Sequence, residues 1–164
     1  MNRLPFNTSS RPMNRQAGVA AVELALLLPI LIPFLILGYF TVSIFWHYTM
    51  VQKAAQDATR YLSTVPVAEM LTPGPAKAAG ALAAQIATRE IAEISPETVV
   101  SDVLAFCITG NVTINCGSGL ATTTPPTAVR VTLSIAMFDP SGFIDTGWNG
   151  LQITANYTMR YVGN

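Results

Sequence analysis

Few side chains in this sequence are equipped for chemistry, and their spacing decides what each could do. His47 is the single histidine, and neither a Ser/His/Asp set nor a phosphate-cradling loop accompanies it. Gly117-Ser118-Gly119 reads as a flexible turn. Asp139, Asp145 and Asn149 offer oxygen ligands in one stretch, but not at EF-hand spacing, and no His/Cys cluster has metal-ligand spacing. No metal, cofactor or enzymatic activity is therefore assigned. Cys107 and Cys116 are not a C-x-x-C pair, which favours a structural disulfide over a redox site. The remaining reactive group is Glu23, the only formal charge between Gly18 and Trp46. A carboxylate at the bilayer centre costs roughly 2.5 to 3.5 kcal/mol on insertion scales, so Glu23 either calls for a partner or sits at the cytoplasmic interface and snorkels out.

That run is the element on which the rest depends. From Leu24 onward the chain is apolar for over twenty residues. A helix rising about 1.5 Å per residue then covers the roughly 30 Å hydrocarbon core of a bilayer. The run is too long for a signal-peptide core and no A-x-A site follows it, so a retained anchor is expected. Pro29 and Pro33 each remove one backbone hydrogen bond, which predicts a kink. Arg3, Arg11 and Arg15 precede the span without an acidic residue, placing the N-terminus in the cytoplasm and the C-terminal part outside. Residues Met1 to Ala17 lack periodicity and read as a disordered cytoplasmic leader.

Past Trp46 and Tyr48, which suit an interfacial aromatic belt, the helix is expected to continue. Val51, Ala54, Ala55, Ala58, Tyr61 and Leu62 fall on one face, with Gln52, Lys53, Gln56, Arg60 and Ser63 on the other, until Pro66 ends it. Val65 to Pro75, with three prolines and a glycine, reads as a linker. A second helix follows over Ala76 to Ile94, with Ala79, Leu82, Ala83, Ile86, Ala87 and Ile94 as its apolar stripe. Glu90 falls near the middle of that stripe. Either it is a buried, paired carboxylate or the last turn has rotated into solvent, and the second is the expectation.

After Pro96 the pattern turns to β. Val99–Ile108 and Val112–Cys116 flank Gly110-Asn111, and two period-2 runs cover Val129–Ile135 and Leu151–Tyr161. An antiparallel sheet with one face on a core follows. If Cys107 and Cys116 pair across one hairpin, Ile108 lies opposite Asn115 and Thr109 opposite Ile114, leaving a four-residue loop. Only 11% of residues are charged and the formal net charge is zero, which argues against a nucleic-acid partner.

The N-terminal third carries a family resemblance. Gly18-Val-Ala-Ala-Val-Glu23-Leu-Ala-Leu-Leu-Leu-Pro29, the apolar run, and Gln52-Lys-Ala-Ala-Gln-Asp-Ala-Thr-Arg60-Tyr61 resemble the TadE-like family. These are the minor pilins, or pseudopilins, of tight-adherence (Flp-type IVb) pilus systems. The match covers about residues 16 to 61. It implies cleavage by a prepilin peptidase between Gly18 and Val19, which makes Glu23 the fifth residue of the mature chain. It also implies that the freed amine of a neighbouring subunit partners Glu23. Leu24 stands where major pilins carry an aromatic residue, and the chain exceeds the length of a major Flp pilin, both of which point to a minor component.

The expected protein is α+β, in three parts. Residues 1–18 form a leader, 19–64 a membrane-spanning, pilin-like helix, and 65–164 an exported domain with a second helix, an antiparallel sheet and one disulfide hairpin. Its expected partners are a prepilin peptidase, other pilins and pilus assembly proteins, and the membrane. The expected location is a bacterial inner membrane, single-pass with the C-terminal domain in the periplasm, with incorporation into a pilus as a further destination. The alternative is an uncleaved single-span anchor carrying an exported binding domain.

Overall fold

The computed structural model describes residues 16–96, 98–118, 124–138 and 150–163. Along the chain run α1 (Gln16–Ser63), α2 (Val67–Met70), α3 (Pro73–Ile94), β1 (Val99–Thr109), β2 (Val112–Asn115), β3 (Ala128–Met137) and β4 (Leu151–Arg160). The fold is α+β, with one long apolar helix, a further helix and a four-stranded antiparallel sheet. Two compact units divide it, one up to Tyr39 and one from Phe40 onward.

In the first unit α1 is helical from Gln16 and continues through Pro29 and Pro33. Its described side chains are exposed all round, Ile36 alone being half-buried. A helix without a polar face has no orientation to prefer in water, which is the composition of a bilayer-facing segment.

In the second unit the same helix turns amphipathic. Phe40 and Ile44 are half-buried against the core, and Val51, Ala54, Ala55, Ala58 and Leu62 are fully buried. This is the three- and four-residue spacing expected from the sequence. Two polar residues join it. Thr59 and Ser63 are also buried, although periodicity places Ser63 on the solvent face. Both hydroxyls are satisfied within the helix, Thr59 Oγ1 donating to Ala55 O at 2.6 Å and Ser63 Oγ to Arg60 O at 2.8 Å. A hydroxyl that bonds its own preceding turn can be buried at little cost, and periodicity does not register this.

The stretch read as a linker is more ordered than expected. Its prolines start helices rather than separate them: Pro66 caps α2, and Pro73 opens α3. The first turn of a helix has N–H groups without intrahelical partners, so proline loses nothing there.

The apolar stripe of α3 also differs. Ala76, Ala79, Gly80, Ala83, Ala87 and Ile91 are buried, whereas Leu82 and Ile94 are exposed. The smallest side chains face the sheet because the helix lies close to it. A Cβ on Gly80 would sit 3.4 Å from Ala105 Cβ and 3.6 Å from Cys116 Cβ. Ala79, Ala83 and Ala87 of the expected stripe lie on the buried face, which is completed by Ala76, Gly80 and Ile91 in place of Leu82 and Ile94.

The sheet order is β2-β1-β3-β4, antiparallel throughout. Val129, Val131, Leu133 and Ile135 of β3 are buried, joined on β4 by Ile153 and Ala155. Each such aliphatic side chain contributes about 1.5–3 kcal/mol by leaving water. The intervening residues make cross-strand polar pairs instead. Arg130 Nε donates to Thr158 Oγ1 at 2.9 Å, and the Ser134 and Thr154 hydroxyls meet at 2.9 Å. One face thus packs on the helices and the other is polar, as the period-2 runs required.

The hairpin register is shifted by two residues from the expected one. Cys107 lies opposite Ile114 and Thr109 opposite Val112, leaving a two-residue turn at Gly110-Asn111. Gly110 has φ +60°, the conformation a tight hairpin turn requires at its first central residue. An even shift keeps every side chain on its own face, so the pattern could not distinguish the two registers. Cys116 lies just past β2 and reaches back to Cys107 with a Cα–Cα distance of 5.0 Å, while its N–H donates to Ala105 O.

Candidate functional site

The residues that could link this chain to partners lie on the first part of α1. Val19 and Glu23 are one helical turn apart, so they occupy one face. Glu23 is exposed, and among the described residues it forms neither an ion pair nor a hydrogen bond. Gly18 sits within the helix, and nothing lies within 4 Å of where its Cβ would be. Glycine lowers helix stability by about 1 kcal/mol relative to alanine. No contact among the described residues accounts for it at this position.

Pro29 and Pro33 lie further along the same segment. A helical proline leaves the carbonyl four residues earlier without its donor, here those of Ala25 and of Pro29 itself. Two consecutive turns on one side therefore lack a backbone bond. The disulfide and the sheet belong to the other unit.

The second unit offers no catalytic arrangement among its described residues. His47 Nδ1 lies 2.8 Å from Ser43 O, where the protonated ring nitrogen donates to the carbonyl one turn back. No group of three His, Cys, Asp or Glu is placed to hold a metal among the described residues. Asp139, Asp145 and Asn149 lie outside the described residues. Among the described residues no buried side-chain nitrogen or oxygen lacks a hydrogen-bond partner. A void lined by Met70, Pro73, Ala76, Cys107 and Ile114 measures about 20 Å³, the space of one water.

What the second unit does contain is a set of tethers on α1 that the sequence did not announce. Thr59 Oγ1 approaches Tyr157 O of β4 at 3.3 Å. Ser63 O, one of the unpaired carbonyls ending α1, accepts the N–H groups of Val162 and Gly163 at 3.0 and 3.2 Å. Tyr161 donates its hydroxyl to Val65 O at 2.6 Å. Burial raises the Tyr161 phenol pKa above its usual 10.0, and the nearby Glu69 carboxylate adds to the rise. Glu90 is paired rather than rotated into solvent, its carboxylate 3.4 Å from Lys53 Nζ with 19% of its side chain exposed. Lys53 offers the compensating charge from α1, and an apolar stripe read alone shows no partner helix.

Against this geometry, comparison with known proteins gives one match. Residues 18–60 match the family model of the TadE-like proteins. The match covers the exposed apolar helix and the start of its amphipathic continuation, and stops before the sheet. No curated protein and no solved structure matches the chain. The apolar helix is long enough to cross a membrane.

Proposed function

We propose that the protein is a minor pilin of a tight-adherence, Flp-type pilus. It inserts through α1 with its N-terminus in the cytoplasm and the sheet domain in the periplasm. A prepilin peptidase cuts between Gly18 and Val19, and the helix beginning at Val19 then packs among the helices of other pilins. Glu23 takes the freed amine of a neighbouring subunit as its counter-charge. Its work is assembly, with no reaction of its own.

The observation that carries this reading is Glu23, a carboxylate without a partner among the described residues, on a segment otherwise apolar on every side and inside the stretch matching the TadE-like model. Such a group is costly in lipid, and the cost is removed by a cation from outside the chain. Gly18 supports the cleavage. A protease needs an extended backbone at the scissile bond, and glycine eases local unwinding of the helix.

Expression with and without a cognate prepilin peptidase tests the processing. Mass and N-terminal sequencing are expected to show a chain starting at Val19 only when the peptidase is present. A chain that keeps its leader in both cases leaves the uncleaved anchor as the function. Glu23→Leu then tests assembly. It is expected to leave membrane insertion intact while abolishing incorporation or pilus formation, whereas in a plain anchor it changes neither.

A further inference from the structure

Cys116 lies at a junction between the edge of the sheet and the start of α3. On one side it is bonded to Cys107 and donates its N–H to Ala105 O at 3.0 Å, both on β1. On the other it faces α3, where a Cβ on Gly80 would come within 3.6 Å of Cys116 Cβ. The next residue completes the contact. Gly117 has φ +79°, and a Cβ there would lie 2.5 Å from Lys77 N and 2.6 Å from Pro73 O. The Gly117 backbone thus rests directly on the first turn of α3, in a conformation and at a distance that only glycine allows. Ser118 then turns the chain, its N–H and its hydroxyl both donating to Asn115 O at 2.9 and 2.7 Å.

Little besides the disulfide keeps Cys116 and Gly117 in this place. β2 is four residues long and pairs with β1 only from Phe106 to Thr109. A hairpin arm of that length is marginal in water without further support. The start of α3 is weakly anchored as well. Its buried residues there are Ala76, Ala79, Gly80 and Ala83, each of which removes little apolar surface from water. The other half of α3 has the fully buried Ile91, and the Lys53–Glu90 pair joins it to α1. One end of the helix is therefore fixed by its own side chains. The other leans on two residues that a single covalent bond holds against β1.

We propose that the Cys107–Cys116 bond is a redox latch that governs docking of the first half of α3. With the bond closed, Gly117 seats against Pro73 and Lys77 and the whole helix lies on the sheet. A dithiol opens the latch by exchange: its two sulfurs join in a disulfide, and two electrons and two protons pass to Cys107 and Cys116 as thiols. Residues 116–118 then leave β1, and α2 loosens together with the first turns of α3. The Ile91 end of α3, β3 and β4 stay in place. A disulfide oxidant reverses the exchange. In the orientation proposed above the latch closes once the domain is in the periplasm, but its operation requires neither cleavage nor pilus assembly.

Hydrogen exchange read by mass spectrometry on the full chain in detergent tests this, with and without excess dithiothreitol. Reduction is expected to speed exchange over residues 70–83 by at least about tenfold, while residues 86–94, β3 and β4 change by less than about twofold. Gly117→Ala keeps the bond but places a Cβ against Lys77 and Pro73. It is expected to reproduce the same local loosening under oxidising conditions. Faster exchange confined to β2 and its partner residues on β1 overturns the proposal, because the bond is then a staple of the hairpin alone. Uniform acceleration across the domain also overturns it, because the loss is then global. So does unchanged protection of residues 70–83 in Gly117→Ala. The dithiothreitol comparison uses the unmodified chain, so it decides the question even where that variant fails to fold.

Discussion

The two parts of α1 are one helix under two different requirements. Before Tyr39 its side chains are apolar in every direction and almost none is covered by the rest of the chain. From Phe40 onward a single stripe is buried, and the opposite face carries Gln52, Lys53 and Arg60. Helix geometry is identical in both parts, so the difference lies in the solvent each part was selected for. Where the surroundings are uniform and oily, no face is distinguished and a sequence repeat has nothing to encode. Where one side meets a core and the other meets water, the 3.6-residue period becomes visible. Polar atoms show the same contrast. Thr59, Ser63, Val65 and Tyr161 form a network that binds α1 to β4 and to Val162 and Gly163, whereas Glu23 has no partner among the described residues.

Removing side chains from matched positions sharpens this comparison most. Leu62→Ala is expected to destabilise the domain by about 2–5 kcal/mol, the usual cost of deleting a buried leucine side chain and leaving a cavity. Leu26→Ala, at an exposed position of the first part, is expected to leave domain unfolding unchanged within about 0.5 kcal/mol. Chemical denaturation of both variants in detergent checks the pair. Equal effects would mean that the two parts share one core.

The disulfide ranks next. Replacing Cys107 and Cys116 together with serine restores chain entropy to a short loop, and somewhat under about 3 kcal/mol of stability should be lost. Denaturant midpoints with and without reductant give the same quantity on the unmodified chain. Neither change should affect insertion of α1, because the bond lies wholly in the second unit.

The smallest expected effect concerns Tyr161. Tyr161→Phe removes one hydrogen bond and is expected to cost about 0.5–1.5 kcal/mol at neutral pH. The phenol pKa is raised in the folded protein, so between the usual 10.0 and the raised value the folded state binds more protons than the unfolded. The wild-type contribution is therefore fully present below pH 10 and lost as pH rises through the folded pKa. Melting temperatures of wild type and variant should converge above that range. A difference that stays constant with pH would show that packing, and not the phenol proton, holds the chain end to Val65.

Much of this molecule was determined by sequence alone, in each case through a signal that is local. The length of the apolar run set the candidate span, and β-rich runs around Gly110-Asn111 together with two period-2 runs set four strands whose ends differ from expectation by one or two residues. Oxidation of the only two cysteines, Cys107 and Cys116, to one bond also needed no partner outside the hairpin. The family match likewise lies where the pattern is strongest, over residues 18–60.

Tertiary structure decided what depends on distance between elements. The face of α3 that meets the sheet was set by how closely Gly80 and its alanine neighbours let two backbones approach, not by which residues are most apolar. The fate of Glu90 was set by Lys53 on another helix, and the burial of Thr59 and Ser63 by bonds to their own preceding turns. The hairpin register was set by the backbone conformation of Gly110, because both registers place the same side chains on the same faces. A sequence specifies what each segment prefers in a given solvent, whereas contact between segments selects among arrangements that satisfy those preferences equally well.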